Sequence, residues 1–371
     1  MGGQASYGIR WLKEPHDHKE RFFHAIADAE GAGRSMRTWT VSFRGFSQTE
    51  DRAEECLKRA KKQPGWFGSR WLKRAFIKGR YNRSRRYFQK NQQQIAVCWQ
   101  GLTGTRRAFM LGAIDAGADT LFAELAPLPG YKTLDPLGVN AEGSIPQDRF
   151  EYDAVVSQPD VLAAIAGQFQ SRQSRRSDVG QAGALPQDTG PFLFVPLQVP
   201  DDSQMILFAD WVQSAKGFVE ELAKASAHLP DGWHLRLKEH PSSKIRLTRY
   251  IEKAINGGAR MVLDNETDSF EQLRASQAVV TVNSSMGLQA MFFDKPVVTT
   301  GRAFYAIPGL TTHASSAKRL SDLFEQAEAL SFDPDFRQRF LTWLATEYYV
   351  KEDENGYDMD QLRARVAEAR A

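Results

Sequence analysis

The stretch from Ala278 to Thr311 (AVVTVNSSMGLQAMFFDKPVVTTGRAFYAIPGLT) constrains the fold of this chain more than any other. It opens with the β-branched run Val279 to Val282, which is typical of a strand. The polar turn Asn283-Ser284-Ser285 follows, and Met286 to Phe293 then carries a helical apolar pattern. A Lys-Pro pair ends that helix, and Val297 to Thr300 begins a second strand. This order predicts one βαβ unit of a parallel sheet.

The two serines of this turn are a first candidate for ligand binding. Ser284 and Ser285 are expected at the N-terminus of the helix, where unpaired backbone N–H groups and the positive end of the dipole attract an anion. A serine at this position also caps a helix without any ligand. The turn therefore indicates either an anion site or an ordinary cap.

Similar α/β patterns occur on both sides of a polar stretch, residues 171–190 (SRQSRRSDVGQAGALPQDTG), which has the composition of a linker. The other predicted strands are residues 38–43, 94–99, 120–123, 192–195, 233–237 and 261–263. We predict two α/β domains with parallel sheets, residues 1–175 and 191–371, joined by a linker at 176–190. The last helix is free to pack back on the first domain, and the cleft between two such domains is a natural ligand site.

Three further candidates follow predicted strands. Glu124 and Asp135 are expected in loops at the carboxyl end of the strand at 120–123, where α/β proteins place their chemistry and where a catalytic carboxylate pair would lie. Loop carboxylates are also common turn formers. Lys238-Glu239-His240-Pro241 follows the strand at 233–237, and a cation beside an imidazole suits a phosphate. An ordinary surface loop explains the same residues.

The net charge of +3 conceals an asymmetry along the chain. Between Cys56 and Ile114 there are 15 Lys or Arg residues and no acidic one, which leaves 33 basic against 45 acidic residues elsewhere. Residues 58–90 interleave these cations with aromatics, a mixture that suits anionic lipid headgroups. A solvated basic helix face is the alternative, and nucleic acid is disfavoured. The membrane candidates are Trp66, Trp71, Arg83, Arg85 and Arg86.

Several compartments and chemistries are disfavoured by composition. The two cysteines, Cys56 and Cys98, indicate neither a disulfide framework nor a zinc site, so we predict a reduced, intracellular protein. No apolar run approaches the ~20 residues that span a bilayer. Asp358-x-Asp360 has a metal-binding spacing, but it precedes the last helix, where acidic residues are ordinary.

The motifs in their order resemble those of the capsule polysaccharide biosynthesis family, the retaining β-Kdo glycosyltransferases that build an oligo-Kdo linker on a phospholipid. The resemblance covers residues 90–315, and the chain is similar in length to a single catalytic module. The motifs are Trp99-x-Gly101, Glu124 with Pro129-Gly130, Asp135-x-x-Gly138-Val139-Asn140 with Ser144-x-Pro146, Pro196-Leu197-Gln198-Val199, Lys238-x-His240-Pro241, and Asn283-Ser284-Ser285 running to Gly301-Arg302-Ala303-Phe304-Tyr305.

The resemblance implies a GT-B arrangement, in which two Rossmann-like domains with parallel sheets face a central cleft. It also implies a CMP-Kdo donor, with Asp135 as the nucleophile that forms a covalent sugar intermediate and Glu124 as the acid/base group. Lys238, His240, Ser284 and Ser285 would hold the CMP phosphate, and Gln289 stands where the family usually has Glu. The remaining donor-site residues implied by the motifs are Gln198, Pro241, Asn283 and Arg302.

The chemistry is consistent with this resemblance. Retention requires a carboxylate beneath the anomeric carbon, and CMP is a leaving group that cations and a helix end can stabilise without a metal or other cofactor. The expected acceptor is a lipid or lipid-linked saccharide, and the expected location is peripheral, on the cytoplasmic face of the inner membrane. Other capsule biosynthesis proteins are candidate partners. Two alternatives remain: a transferase for another CMP-sugar such as sialic acid, and a non-catalytic nucleotide-sugar or lipid-binding component of a capsule export assembly.

Overall fold

The computed structural model describes residues 8–61, 65–171, 173–187 and 189–370, so Lys62 of the basic segment lies outside the described residues. The chain forms two compact units. The first comprises Met1–Ala126, Gly130–Ile145 and Leu344–Ala371, and the second comprises Pro127–Pro129 and Pro146–Trp343. The units therefore divide at residue 145, about thirty residues before the predicted end of the first domain, and the C-terminal segment belongs to the first unit.

The first unit is built on a seven-stranded sheet of order β13-β12-β5-β4-β3-β1-β2. Strands β1 to β4 run parallel to one another, whereas the pairs β4–β5, β5–β12 and β12–β13 are antiparallel. Their bounds are β1 Gly8–Leu12, β2 Gly33–Met36, β3 Gln94–Trp99, β4 Thr120–Leu125, β5 Tyr131–Asp135, β12 Val350–Asp353 and β13 Gly356–Tyr357. Alternate residues of β1, β3 and β4 pack on two helices, α1 (Asp17–Glu30) and α13 (Met359–Glu368), in one apolar core.

The second unit holds a six-stranded, fully parallel sheet of order β11-β10-β9-β6-β7-β8. The strands are β6 Phe192–Pro196, β7 His234–Lys238, β8 Met261–Leu263, β9 Ala278–Thr281, β10 Val297–Thr299 and β11 Thr312–His313. Read in chain order this is 3-2-1-4-5-6, the order of a doubly wound dinucleotide-binding sheet. The order reverses between β6 and β9, and such sheets bind ligands outside the carboxyl ends of the strands at that point.

Thirteen α-helices with named bounds connect or flank these strands in the described part of the chain. They are α1 Asp17–Glu30, α2 Thr49–Lys58, α3 Phe67–Phe88, α4 Gly104–Ile114, α5 Pro159–Ala166, α6 Ser203–Phe208, α7 Ala215–Ala225, α8 Thr248–Asn256, α9 Ser269–Ala275, α10 Ser285–Met291, α11 Ala317–Glu325, α12 Pro334–Trp343 and α13 Met359–Glu368. Among the helices that are described, none is both long and apolar enough to cross a membrane. The βαβ unit predicted at 278–300 is present as β9, α10 and β10, with β9 and β10 parallel.

The strand predicted at residues 38–43 is wrong, because the segment has no strand pairing. Its backbone bonds to a helix instead, through the Ser42 N–H and the carbonyl of Gly79 in α3 (2.9 Å). Val41 packs so closely on Gly79 that a Cβ there would lie 2.8 Å from Val41. The alternation is real, but it leaves Trp39 and Phe43 exposed, at 69% and 89%.

A strand that the sequence did not indicate changes the setting of both candidate carboxylates. β5 pairs antiparallel with β4, with Glu124 opposite Thr133 and Asp135 opposite Phe122. Both carboxylates therefore lie within strands and not in the loops where they were expected. Tyr131–Asp135 was hidden because it is short and follows Pro- and Gly-rich residues that are typical of a loop.

The predicted linker at 176–190 is part of the second unit. The Gly180 N–H donates to the carbonyl of Asn265 (2.7 Å), and the Gly183 N–H donates to the carbonyl of Glu266 (3.0 Å). Gly183 also forms a parallel bridge with Thr267. A polar, glycine-rich composition favours a linker, but the same residues satisfy their backbone groups on a neighbouring turn.

Candidate functional site

A cavity lies at the carboxyl ends of β6, β7 and β9, where the strand order of the second sheet reverses. Segments far apart in the sequence meet there because parallel strands end at one edge of the sheet. Its lining residues come from the ends of β6 and β7, from the starts of α9 and α10, and from the segment 176–190 that was predicted as a linker (the former linker). They include Pro196, Leu197, Lys238, Glu239, His240, Pro241, Ser269, Phe270, Ser284, Ser285, Met286 and Gln289.

His240 lines this cavity in a defined orientation. Its Nδ1 accepts a hydrogen bond from the Ser242 N–H (3.1 Å), so the proton of the neutral ring is on Nε2. Pro241 keeps the loop in place through its carbonyl, which accepts from the Arg175 N–H (2.9 Å). The loop therefore presents an imidazole N–H donor, the type of group that binds a phosphate oxygen.

Lys238 lies at the cavity but its ammonium points into the protein. Nζ donates to three carbonyls, those of Gly180 (2.8 Å), Asn265 (3.1 Å) and Thr267 (2.6 Å). These bonds use all three of its N–H groups. Burial lowers the pKa of Lys238 to about 8. Its observed part is to join the turn 264–267 and the former linker to the end of β7.

Glu239 anchors the same loop from the other side. Its buried carboxylate accepts from the Leu247 N–H (2.5 Å), from the Thr248 hydroxyl (2.7 Å) and from Arg176 Nη2 (2.9 Å). Burial alone would raise the pKa of Glu239, but these hydrogen bonds outweigh it and hold the pKa below its ordinary value. Lys238 and Glu239 are thus both occupied internally, and the His240 ring is the third side chain of this loop at the cavity.

The serine turn combines a cap with an exposed hydroxyl. Ser284 is the N-cap of α10, and its Oγ accepts from the Met286 N–H (3.2 Å), whereas Ser285 is exposed at the cavity. The buried Tyr305 hydroxyl donates to the Ser284 carbonyl (2.5 Å). A Cβ on Gly287 would lie 2.4 Å from that hydroxyl, so glycine is needed for Tyr305 to reach the turn. The ordinary cap is present, and it leaves the Ser285 hydroxyl at the cavity.

Of the other predicted donor-site residues, some contact only other protein groups and one lines the cavity. Gln198 and Asn283 bond to each other, Nε2 to Oδ1 at 2.8 Å and the Asn283 N–H to Oε1 at 3.2 Å, and neither lines the cavity. Arg302 is exposed, with its guanidinium 5.3 Å from the Phe208 ring centroid, and does not line it either. Gln289 lines the cavity and donates to the Pro127 carbonyl (2.9 Å), a bond that a glutamate could not form.

Asp135 is a fully buried carboxylate that holds the following loop together. Oδ1 accepts from the N–H groups of Leu137 (2.8 Å) and Gly138 (3.0 Å). Oδ2 accepts from the Ser144 N–H (2.7 Å), the Ser144 hydroxyl (2.8 Å) and the Tyr348 hydroxyl (2.7 Å). A nucleophile needs an oxygen that contacts the sugar, and both oxygens are covered here. The nucleophile role of Asp135 stays a prediction, and it would require this loop to open.

Glu124 is half-buried near the end of β4, and one carboxylate oxygen accepts from the Leu125 N–H (3.0 Å). Unlike Asp135, it keeps part of its side chain in contact with solvent. The two predicted carboxylates therefore differ in access to solvent: Asp135 is enclosed by five donors, and Glu124 is partly exposed.

A cluster that the sequence did not reveal lies where β1 and β3 end, which is the point of reversal in the first sheet. Glu14 is buried and accepts from Lys19 Nζ (3.2 Å) and Arg106 Nη2 (2.5 Å). The exposed His18 ring lies edge-on to Trp99, with centroids 5.9 Å apart. Burial and the charges of Lys19, His16, Lys132 and Arg21 lower the pKa of His18. His18 lies in the first turn of α1, and no strand was predicted before it, so the sequence carried no signal for this cluster.

The predicted membrane residues fall into two groups. Trp66 and Trp71 are exposed, at 71% and 63%. By contrast, Arg85 donates to Gln48 and to the Tyr81 hydroxyl, Arg86 donates to the Arg44 carbonyl, and both guanidinium groups lie over the Phe46 ring. Arg83 is half-buried as well. Arg85 and Arg86 are therefore occupied within the first unit.

Other reactive side chains are few in the described part of the chain. Cys56 and Cys98 are buried thiols, and burial raises the pKa of each to about 12. Within the described ranges, no group of three or more His, Cys, Asp or Glu side chains could hold a metal ion.

The fold is that of the GT-B glycosyltransferases, with two Rossmann-like α/β units. The chain aligns over 98% of its length with the whole of a solved chain from Thermosulfurimonas dismutans, described as KpsC, beta Kdo 2,7 transferase, with a TM-score of 0.55 and 12% sequence identity. At that identity the likeness shows the fold.

The chain belongs to the capsule polysaccharide biosynthesis protein family, whose model matches residues 159–344. It is 29% identical over 245 residues to protein FixF of Sinorhizobium fredii, which covers 65% of this chain and 57% of FixF. It is 31% identical over 120 residues to the capsule polysaccharide export protein KpsS of Escherichia coli, covering 31% of each. The chain thus spans little more than half of the length of one of these relatives and about a third of the other.

Proposed function

We propose that this protein is a glycosyltransferase of capsule or surface polysaccharide biosynthesis, which transfers Kdo from CMP-Kdo to a lipid or lipid-linked saccharide. The observation that carries the proposal is the cavity at the reversal point of the second sheet, where His240, Ser284 and Ser285 meet. Their motifs lie far apart in the sequence, and this sheet order binds nucleotides at this point. Membership of the capsule biosynthesis family supports the pathway.

In this proposal the CMP phosphate contacts the Nε2–H of His240, the Ser285 hydroxyl and the N–H groups at the start of α10. Leu197, Phe270 and Met286 supply an apolar wall for the base. Lys238, expected from sequence to hold the phosphate, acts one step away, because its three carbonyl bonds position the loop that carries His240. The leaving CMP dianion is stabilised by N–H and O–H donors.

The carboxylate that meets the sugar is assigned first to Glu124 and second to Asp135. Retention with a covalent intermediate requires a carboxylate oxygen at the anomeric carbon. Glu124 has solvent access in the structure, whereas Asp135 would first have to lose five hydrogen bonds. Asp135 then contributes by fixing the loop 137–144.

The acceptor side of the proposal rests on the first unit. Its sheet reverses at the cluster of Glu14, His18 and Lys19, where an acceptor hydroxyl would meet an imidazole whose pKa is lowered by burial and by neighbouring charges. Exposed Trp39, Phe43, Trp66 and Trp71 suit a lipid surface, which supports a lipid-linked acceptor and a peripheral location at the inner membrane. Metal independence and partner proteins of the capsule pathway remain parts of the proposal.

The test is incubation of the purified protein with CMP-Kdo and candidate lipid acceptors, followed by mass spectrometry of acceptor and protein. We expect release of CMP, one Kdo mass on the acceptor, unchanged turnover in EDTA, and an acceptor-free adduct on the peptide that contains Glu124. CMP-sialic acid in place of CMP-Kdo tests the other donor. An adduct on the Asp135 peptide would move the nucleophile there.

The second candidate is a non-catalytic component of an export assembly. The likeness to KpsS, named a capsule polysaccharide export protein, favours it, as does the internal occupation of Lys238 and Asp135. Such a component would bind CMP-Kdo without ever releasing CMP, in the presence of any acceptor. Binding without release, with a folded protein, would therefore replace the transferase proposal by this one.

A further inference from the structure

A second cavity, of about 380 Å³, lies on the second unit beside the loop that carries His240. It shares no lining residue with the cavity described above. Residues 175–178 form one side and residues 242–246 the other. Its charged lining residues are Arg175, Arg176, Asp178, Lys244 and Arg246. Four cations around one carboxylate make this cavity strongly positive.

The carboxylates within reach do not neutralise these cations. Asp178 pairs with Arg176 (2.7 Å) and with Arg246 (3.3 Å), and Glu239 pairs again with Arg176 (2.9 Å). Arg175 and Lys244 are exposed and have no ion-pair partner among the residues that the structure describes. Two cations therefore remain for an anion after the internal pairs are formed.

Arg176 supplies an independent sign of a missing ligand. Its side chain is only 8% exposed, yet Nη1 is buried without a hydrogen-bond partner in the described part of the chain. A buried guanidinium N–H without an acceptor is costly, and native structures leave few such groups unpaired. Since Arg176 itself lines the cavity, an acceptor bound there can complete its hydrogen bonds.

We propose that this cavity is a binding site for a phosphate group, separate from the nucleotide-sugar cavity. Arginine and lysine are the residues that bind phosphate oxygens, and arginine does so with two parallel N–H groups. The hydroxyls of Ser177 and Ser242 add neutral donors to the same cavity, whereas the Ser243 hydroxyl is engaged with the Ile245 carbonyl (2.7 Å).

The site is joined to His240 by one residue. Ser242 lines the phosphate cavity and also donates its N–H to His240 Nδ1. Phosphate held against Ser242 restricts the loop in the orientation that presents Nε2–H. This coupling rests on the proposed function of His240, and it is reciprocal: phosphate tightens CMP binding by the same factor as CMP tightens phosphate binding.

The experiment is calorimetric titration of the full chain with inorganic phosphate, at an ionic strength held constant with chloride, with and without saturating CMP. Arg175→Gln with Lys244→Gln is the test variant, because neither residue has an ion pair to lose. Lys216→Gln with Lys224→Gln removes two exposed cations of α7 in the same unit and is the control. We expect one phosphate site that persists with CMP present and is weakened about tenfold or more in the test variant alone.

Asp178→Asn gives a result of opposite sign. Removing the carboxylate from the cavity should tighten phosphate binding several-fold, whereas a purely structural role of Asp178 predicts no gain. Abolition of phosphate binding by CMP, or equal binding by test and control variants, would overturn the proposal. A protein that binds phosphate but never CMP would keep this site and refute only the donor assignment.

A second set of binding measurements identifies the source of the phosphate group. Glycerol 3-phosphate and vesicles containing phosphatidylglycerol are compared with inorganic phosphate, each with test and control variants. Vesicle binding that depends on Arg175 and Lys244 assigns the site to a lipid headgroup. Dependence for the free anions alone assigns it to a soluble phosphate compound.

Discussion

At the scale of single residues, His240 is the most direct test of the donor cavity. His240→Ala should weaken CMP binding by about 1.5–3 kcal/mol, the usual worth of a hydrogen bond to a charged group. His240→Gln, which can place an amide N–H near the position of Nε2, should recover part of that loss. Calorimetry with CMP measures both, and His228→Ala, an exposed histidine of the same unit, is the control. Equal affinity in all three folded variants would remove His240 from the site.

Substitutions of Asp135 and Glu124 should differ in their effect on stability as well as on turnover. In Asp135→Asn, either orientation of the amide turns an NH₂ toward backbone N–H groups that now donate to a carboxylate oxygen. We expect a loss of about 1.5–3 kcal/mol in the free energy of unfolding, together with lost turnover. Glu124→Gln should change stability by no more than about 0.5 kcal/mol while turnover falls by orders of magnitude.

Urea unfolding and CMP release measure these two effects on the same preparations. An Asp135→Asn protein as stable as the native one, with turnover abolished, would contradict the anchor role and return the nucleophile to Asp135.

At the scale of elements, the turn after β8 decides where the donor loop lies. Asp264 accepts from the N–H groups of Glu266 and Thr267 (both 2.9 Å) and from Arg236 of β7 (2.6 Å), which shapes the turn whose carbonyls hold Lys238. Burial would raise the pKa of Asp264, but the hydrogen bonds from Thr267, Arg236 and Glu266 lower it to about 2.

A carboxyl with a depressed pKa stabilises the fold above its ordinary pKa, and this contribution is lost as the pH falls toward the folded value. We therefore expect Asp264→Asn to cost about 2 kcal/mol in the free energy of unfolding at pH 7 and about half of that at pH 3. Urea unfolding across this range measures the difference. A difference that does not change with pH would show that the charge of Asp264 carries none of this stability.

The sequence predicted elements well where the pattern was local. β9, α10 and β10 follow directly from β-branched runs, a polar turn and a Lys-Pro stop, and β3, α4 and β4 likewise. The sequence-based prediction failed where contacts with distant parts of the chain determine the local structure. The backbone of 38–43 bonds to α3, β5 depends on pairing with β4 and β12, and the former linker pairs with the turn 264–267.

The candidate site divides along the same line. Motifs brought His240, Ser284, Ser285 and Gln289 to one cavity, because residues after parallel strands meet at one edge. They could not show that the Lys238 ammonium turns toward three carbonyls, or that Asp135 is enclosed by five donors. Glu14, His18 and Lys19 escaped notice because β1 was not predicted and the polar residues after it match no motif.

At the scale of the whole molecule, charge and exposed aromatics are concentrated in one part of the chain. Residues 49–90 hold 14 Lys or Arg against 4 Asp or Glu, and Trp39, Phe43, Trp66, Trp71 and Leu72 are each at least 60% exposed. Aromatics of this kind insert at the headgroup level of a bilayer, and each nearby cation adds about 1 kcal/mol on an anionic surface. Since Arg85 and Arg86 are bonded internally, the aromatic side chains are the more exposed part of this surface.

We therefore expect the protein to bind vesicles that contain phosphatidylglycerol. The affinity should fall steeply as the salt concentration rises above the physiological value, because the Debye length is already only about 8 Å at physiological ionic strength. Trp39→Ala with Phe43→Ala and Trp71→Ala should reduce binding about tenfold or more, because each ring loses its apolar contact with the bilayer. Exposed Phe150→Ala, in the second unit, is the matched control and should bind as the native protein does. Vesicle co-sedimentation measures all three. Binding that is insensitive to both salt and the aromatic variants would mean that this surface is a solvated basic face, and that a lipid-linked acceptor must reach the protein without it.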